Sequence, residues 1–517
     1  MNRPLRAFLS TLLALTISVA FNILFLNLAE RPKIDQILLI AFSTVALGYL
    51  IYSLWGTSVR AQIPVVKIRY NSAAILSALR EHAPGIALAV VFFAVYTFIG
   101  LRLNFANSDT TDNFLDADNY PWMQRIAAPD GYLFDMRGPH PFAYFIFRPL
   151  GWALNLFTQN PALSAILLNT FAGALCVFMA WVFIKRQFQN PIYALLIAAL
   201  LGLSTSHFFF GSVIETYIFS AAALIGFILV IQKRSDSLSA PVTMSLITFG
   251  ITITNFAQNF IGFFVTRTLN FFYPSHQPDE ARKSIKVYVA EIFRFAALTL
   301  SLGIVISLIH AAWYPSARLF FLSSDAQIER DFSLGILNQP QWKTIGRVIL
   351  LVRTILLYTV IAPKPFVFGR EVGAWLPYFN FFKVTPELYS YSAYNGLGNI
   401  LVSVWAALLL LSGVFFVWNL VRTRKADLSL VFVLSLLFNF ILHLFYGWEP
   451  FLYSPDWAYA LIFFVALSLA PLAKNRLFQA AMLIFLILLA YNQIQFIKFI
   501  FDTIAPFYSQ VGNAKIF

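Results

Sequence analysis

Long apolar runs separated by short polar connections dominate this chain. A membrane-spanning helix needs roughly 20 mainly apolar residues. Runs of that kind fall near 8–28, 35–55, 84–101, 161–184, 192–210, 213–231, 241–256, 257–272, 290–313, 398–420, 428–446, 456–472 and 477–493. The pattern predicts an all-α polytopic membrane protein with about 13 transmembrane helices. The first run is too long for a secretory signal and lacks a small-residue cleavage site, so it reads as an anchor. Two arrangements compete in the middle of the chain. Residues 241–266 form either part of a short hairpin or one helix, and in the second case 346–363 becomes a span. The hairpin is preferred because it leaves His140, His207, His310 and His443 at one face and keeps Arg347 and Arg353 out of lipid.

Charge orients these runs. Arg3 and Arg6 put the N-terminus inside, and the alternate connections then gather the remaining clusters of bases: Arg60, Lys67, Arg69 and Arg80; Lys185 and Arg186; Lys233 and Arg234; Arg282, Lys283 and Lys286; Arg422, Arg424 and Lys425; Lys474 and Arg476. The expectation is a plasma (inner) membrane protein with a cytoplasmic N-terminus and an extracytoplasmic site. Composition agrees: of 517 residues, 59% are hydrophobic and 11% charged, against about 25% charged in soluble domains. A soluble enzyme and a disordered scaffold are excluded. The net charge of +13 is scattered between apolar runs, which excludes a nucleic-acid partner. Cys176, the single cysteine, lies in an apolar run and reads as a small buried hydrophobe.

The chain divides into 1–83, two N-terminal helices and a basic loop; 84–313, a core containing the external loop 102–160; 314–397, a second long external loop with an amphipathic interfacial segment at 346–363; and 398–517, C-terminal helices. Loops this long and aromatic read as ordered interfacial structure.

The first loop carries the strongest chemical signal. Asp109, Asp112, Asp116, Asp118, Asp130 and Asp135 are six of the chain's 23 acids. A solvated loop tolerates such charge, and Asp130 and Asp135 suit turns. Asp116 and Asp118, just before an amphipathic turn, suit a general base with an acceptor-orienting partner, or a divalent cation such as Mg or Mn. Arg137 and His140 follow, then the aromatic stretch 142–157 with Arg148, which reads as an interfacial helix. Arg137, His140 and Arg148 suit a phosphate at headgroup level, or, for the arginines, lipid anchoring. Glu215 opens an uncharged helix just before Tyr217, either as a cap or as a ligand for Arg137 or a sugar hydroxyl. Glu449 and Tyr453 lie in an aromatic segment that suits a sugar ring or an interface belt. Asn255, Gln258 and Asn259 read as satisfying a tight hairpin or helix contact. The chain has no P-loop, no dinucleotide glycine motif and no Cys or His metal pair.

The ordered set of a spanning helix at 84–101, Asp116 and Asp118, His140-Pro141 before an interfacial helix, and the FGSVIETY and YGWEPFLYSPDW segments resembles the GT-C superfamily of polyprenyl-phosphate-dependent membrane glycosyltransferases, including protein O-mannosyltransferases and aminoarabinose transferases. The resemblance covers roughly 84–313 by motif and the rest by architecture. It departs in two preceding helices, in Asp-Ala-Asp where relatives have adjacent acids, and in one Pro after His140 where many have two. It implies a GT-C-like core, a polyprenyl-phosphate sugar donor, a glycan, lipid or protein acceptor, surrounding membrane lipids, and inverting transfer outside. Asp116 or Asp118 would then be the base. Arg137, His140 and a base such as Arg318 or Arg370 would stabilise the leaving phosphate. The competing expectations are a secondary transporter or lipid flippase, which concentrates charge at midplane, and a non-catalytic assembly subunit.

Overall fold

The computed structural model describes residues 3–56, 72–106, 108–233, 237–272, 285–369, 376–423 and 427–507. Arg60, Lys67, Arg69, Arg234, Arg282, Lys283, Arg370, Arg424 and Lys425 lie outside the described residues.

Eight helices are long and apolar enough to cross a membrane: Pro4–Phe25, Lys33–Trp55, Leu76–Leu103, Pro161–Phe188, Ile285–Trp313, Leu397–Arg422, Leu428–Phe445 and Arg476–Phe507. The other five expected positions are helical but shorter: Pro191–Leu203, Thr216–Gln232, Ser239–Ile251, Phe256–Phe272 and Pro455–Ser468. At about 1.5 Å per residue they fall short of a hydrocarbon core of about 30 Å. The fold is thus that of a helical membrane protein with eight helices of spanning length among the described residues, not an established thirteen. Burial accounts for part of the shortness. Every residue of Pro455–Ser468 except Phe464 is buried, and a helix enclosed by protein need not match the bilayer.

Local sequence sets several helix starts. Asn160 and Asn190 each precede a proline, and their side chains accept from Leu163 N–H and Tyr193 N–H, both at 3.1 Å. An Asn cap followed by Pro satisfies one free amide and removes another. The helix Pro161–Phe188 is the hub: 72% of its apolar window is buried, and it packs against Ser72–Leu103, Pro191–Leu203, Thr216–Gln232 and both helices of the first loop. Pro455–Ser468 packs on Thr216–Gln232 from the other side.

The middle of the chain is broken where a hairpin requires it. Ser239–Ile251 and Phe256–Phe272 are separate helices. Their junction docks on the first loop, with Ile253 N–H donating to Pro139 O at 2.9 Å. The stretch expected to be an interfacial helix is Gln341–Arg353 followed by a π turn, Thr354–Tyr358. Beyond it the second loop forms two antiparallel hairpins, Phe366–Phe368 with Tyr378–Asn380 and Phe382–Val384 with Tyr389–Tyr391, which the hydrophobic pattern did not predict. Three isolated bridges tie distant segments together: Phe114 to Phe379, Met136 to Ala317, and Ser333 to Tyr446.

Candidate active site

Asp116 sits in a tight turn. Asp112 N–H donates to Ala117 O at 3.0 Å and Ala117 N–H to Phe114 O at 3.2 Å. Asp112, Leu115 and Asp116 all have left-handed backbone, with φ of 65°, 56° and 66°. Asp tolerates that region better than Leu does, and strained residues of this kind persist where surroundings hold them. Here the holding is explicit. Leu115 N–H donates to Phe379 O at 3.2 Å, Phe379 N–H to Asn113 O at 2.9 Å, and the Phe114 and Phe379 rings stack.

Asp118 precedes the helix Asn119–Ala127 but does not cap it. Its amide donates to Glu215 Oε2 at 2.8 Å, while Glu215 Oε1 accepts from Thr216 N–H at 2.8 Å. Glu215 therefore caps the helix Thr216–Gln232 and clamps the Asp turn to it, instead of reaching Arg137. Glu449 is buried on the same side; its carboxylate accepts from Asn380, a residue of the strand that carries Phe379.

These acids hold their protons tightly. Burial, then the charges of Asp112 and Asp118, raises Asp116 to about 7. Burial, then Asp118 and Asp109, raises Asp112 to about 6. Burial and Asp118 raise Glu215 to about 8. Burial and Asp116 push Glu449 up. Asp118 is also raised by burial, with Arg125 and Arg137 opposing. No group of three or more His, Cys, Asp and Glu side chains among the described residues is arranged to hold a metal ion.

A cavity of about 270 Å³ is lined by Arg137, His140, Tyr217, Glu329, Tyr446 and Tyr453 among others; Asp116 and Asp118 are not on its wall but lie close enough to Tyr453 for their charges to act on it. Arg137 forms a forked pair with Glu329, Nε to Oε1 at 3.2 Å and Nη2 to Oε2 at 2.6 Å, and also reaches Tyr446 Oη at 3.0 Å. Burial alone would lower Arg137; the Glu329 contact and Tyr446 reverse this and raise it. Tyr217 and Tyr453 meet edge to face at 5.0 Å. Gly447 has φ of +80°, and a Cβ there would strike the Tyr453 ring at 2.6 Å, so both conformation and space require glycine.

His140 lines the same cavity as Arg137 and is tied to the backbone. Its Nδ1 lies 2.6 Å from Ile251 O, which assigns the proton to Nδ1. Burial lowers its pKa to about 4, so the ring is neutral at pH 7 and Nε2 is an acceptor. Such a ring can accept a hydrogen bond at Nε2 from a hydroxyl or ammonium group. Arg148 is elsewhere: buried, it donates to Arg125 O at 3.3 Å and Pro129 O at 3.0 Å and holds the loop around the short helix. It neither joins Arg137 nor anchors to lipid. Arg318 is committed to Asp135 at 2.7 Å. Asn255 and Gln258 satisfy a helix contact, with Gln258 donating to Asn255 Oδ1 at 2.9 Å; Asn259 has no partner for either polar atom among the described residues.

Glu329 was not singled out by sequence, and Arg347 only as a base to be kept out of lipid. Glu329 sits in the polar stretch 322–345 with nothing local to mark it. Arg347 is buried and donates to His443 O at 2.7 Å and Trp448 O at 2.8 Å, which caps the helix ending at Phe445. An arginine within an amphipathic helix was the available signal. No family model matches this chain, and no curated protein matches it either.

Proposed function

We propose that this protein is an integral membrane glycosyltransferase that moves a sugar from a polyprenyl-phosphate donor to an acceptor at the face carrying the two long loops. The observation that supports it most is Asp116: a half-buried carboxylate in a strained turn, raised to about 7, beside a cavity holding one arginine and several tyrosines. A general base works best with a pKa near the working pH.

In this reading the acceptor O–H or N–H gives its proton to Asp116 as its lone pair attacks the anomeric carbon. The bond from that carbon to the phosphate oxygen breaks, and polyprenyl phosphate leaves with the electron pair. Arg137 exchanges Glu329 for the phosphate, whose charge grows in the transition state. Asp118, anchored through its amide to Glu215, orients the acceptor. Tyr217 and Tyr453 offer ring faces and hydroxyls to the sugar, and His140 Nε2 accepts from one of its hydroxyls.

The test is to incubate purified protein with several labelled polyprenyl-phosphate sugars and measure transfer or hydrolysis, with Asp116→Asn and Asp118→Asn alongside. Donor consumption that both variants abolish supports the reading. Consumption unchanged in both removes Asp116 and Asp118 from the chemistry. No consumption, with labelled lipid instead crossing the bilayer, favours a flippase.

A further inference from the structure

The helix Leu397–Trp418 continues as a π turn over Asn419–Thr423. Only 17% of its apolar window is buried in the protein, so most of its surface meets lipid. Along one side runs an apolar groove of about 1170 Å³. Leu409, Gly413, Val417 and Val421 recur every fourth residue on one wall, and Leu461 and Phe464 belong to the other. Gly413 deepens the middle, since a Cβ added there would meet nothing within 4 Å. Arg422 closes one end, with its guanidinium over the Trp418 ring at 4.5 Å.

Length and charge restrict what fits. From Leu409 to Arg422 the helix rises about 20 Å, whereas one leaflet contributes about 15 Å of hydrocarbon. The groove therefore spans one leaflet and ends at headgroup level, where a docked helix of a second copy would run the whole thickness. The closing end carries a base, the exposed Arg422. It is also the end remote from the second long loop, because Leu397 directly follows that loop. Basic positions between helices at the membrane surface attract anionic headgroups, and π turns recur at functional sites.

We propose that this groove binds an acyl chain of an anionic phospholipid from the leaflet opposite the candidate active site, with the lipid phosphate at Arg422. This does not depend on the glycosyl-transfer reading.

The experiment is native mass spectrometry of the purified full chain after exchange into equimolar phosphatidylglycerol and phosphatidylcholine. The wild type should retain phosphatidylglycerol about fivefold over phosphatidylcholine. Arg422→Gln should reduce that preference at least twofold. Gly413→Leu, which fills the groove, should lower retained lipid of both kinds several-fold, and Gly413→Ala should not. Thermal unfolding of each variant checks folding; if Gly413→Leu does not fold, Arg422→Gln and the wild-type preference decide. Equal retention of the two lipids by the wild type, or unchanged retention in a folded Gly413→Leu, overturns the proposal. So does a wild-type dimer that Gly413→Leu converts to monomer.

Discussion

Asp116, Asp118 and Glu449 have no ion-pair partner among the described residues, whereas the arginines around them are engaged by carbonyls or carboxylates. Arg148 and Arg347 spend their guanidinium groups on backbone carbonyls; Arg318 and Arg137 spend theirs on Asp135 and Glu329. The two sets differ in what the fold asks of them. Arginine does not lose its proton in a protein and forks onto several oxygens, so it fastens loops. A buried carboxylate without a cation keeps its proton near neutrality and can exchange it. Arg137 belongs to both sets, because its partner is a carboxylate that an anionic ligand can replace.

The largest effect should come from removing that proton exchange. Asp116→Asn is expected to lower transfer from a polyprenyl-phosphate sugar by about 10²- to 10⁴-fold with little change in donor binding. Equal loss of rate and binding would instead make Asp116 a structural residue.

Exchange at Arg137 comes next. Arg137→Gln should raise the donor KM at least tenfold, while Glu329→Gln should leave it unchanged or lower it, since the competing carboxylate charge is gone. If both variants raise KM alike, the pair is a fastener like Arg318 with Asp135.

The pH profile sharpens the contrast further. Activity should rise with pH along a limb centred near 7, the value to which burial and the neighbouring acids raise Asp116. Asp112→Asn should move that limb to lower pH, because the Asp112 charge is one cause of the shift. Stability should run the other way. Asp116 binds its proton more tightly when folded than at the unfolded value of 3.8. The stabilisation is therefore complete below that value and is lost as pH rises through about 7. Thermal unfolding across pH 4–8 should show this fall, and Asp116→Asn should make it shallower, the rest coming from Asp112 and Glu215.

The smallest functional effect belongs to the loop fasteners. Arg148→Met should lower the thermal midpoint measurably, as two hydrogen bonds from a charged donor are lost, yet leave donor KM within about twofold of the wild type.

How much of this was legible in the sequence follows from which interactions are local. Apolar runs placed helices at all the expected positions because that signal acts within a few residues. The Asp116 to Asp118 turn and Glu215 stood out because charge is scarce here. Burial is not a local property, however. Arg148 in an aromatic stretch reads as a lipid anchor until Arg125 O and Pro129 O are brought to it, and nothing near His140 in sequence shows that Ile251 O will fix its proton. The hairpins at 366–391 were hidden for the same reason: Phe379 acquires its role from Phe114, more than 260 residues earlier.

Those bridges also impose an order of assembly. The Asp116 turn is held by Phe379, and the cavity is closed by Tyr446 and Tyr453, so a ribosome must thread nearly nine-tenths of the chain before the site is complete. At about 5–20 residues per second, the first loop waits many seconds on its side of the bilayer, with its acids unclamped and hydrated. A protein truncated before residue 446 thus contains the partners of the Asp116 turn and of Arg137 but lacks the Tyr446 and Tyr453 wall of the cavity.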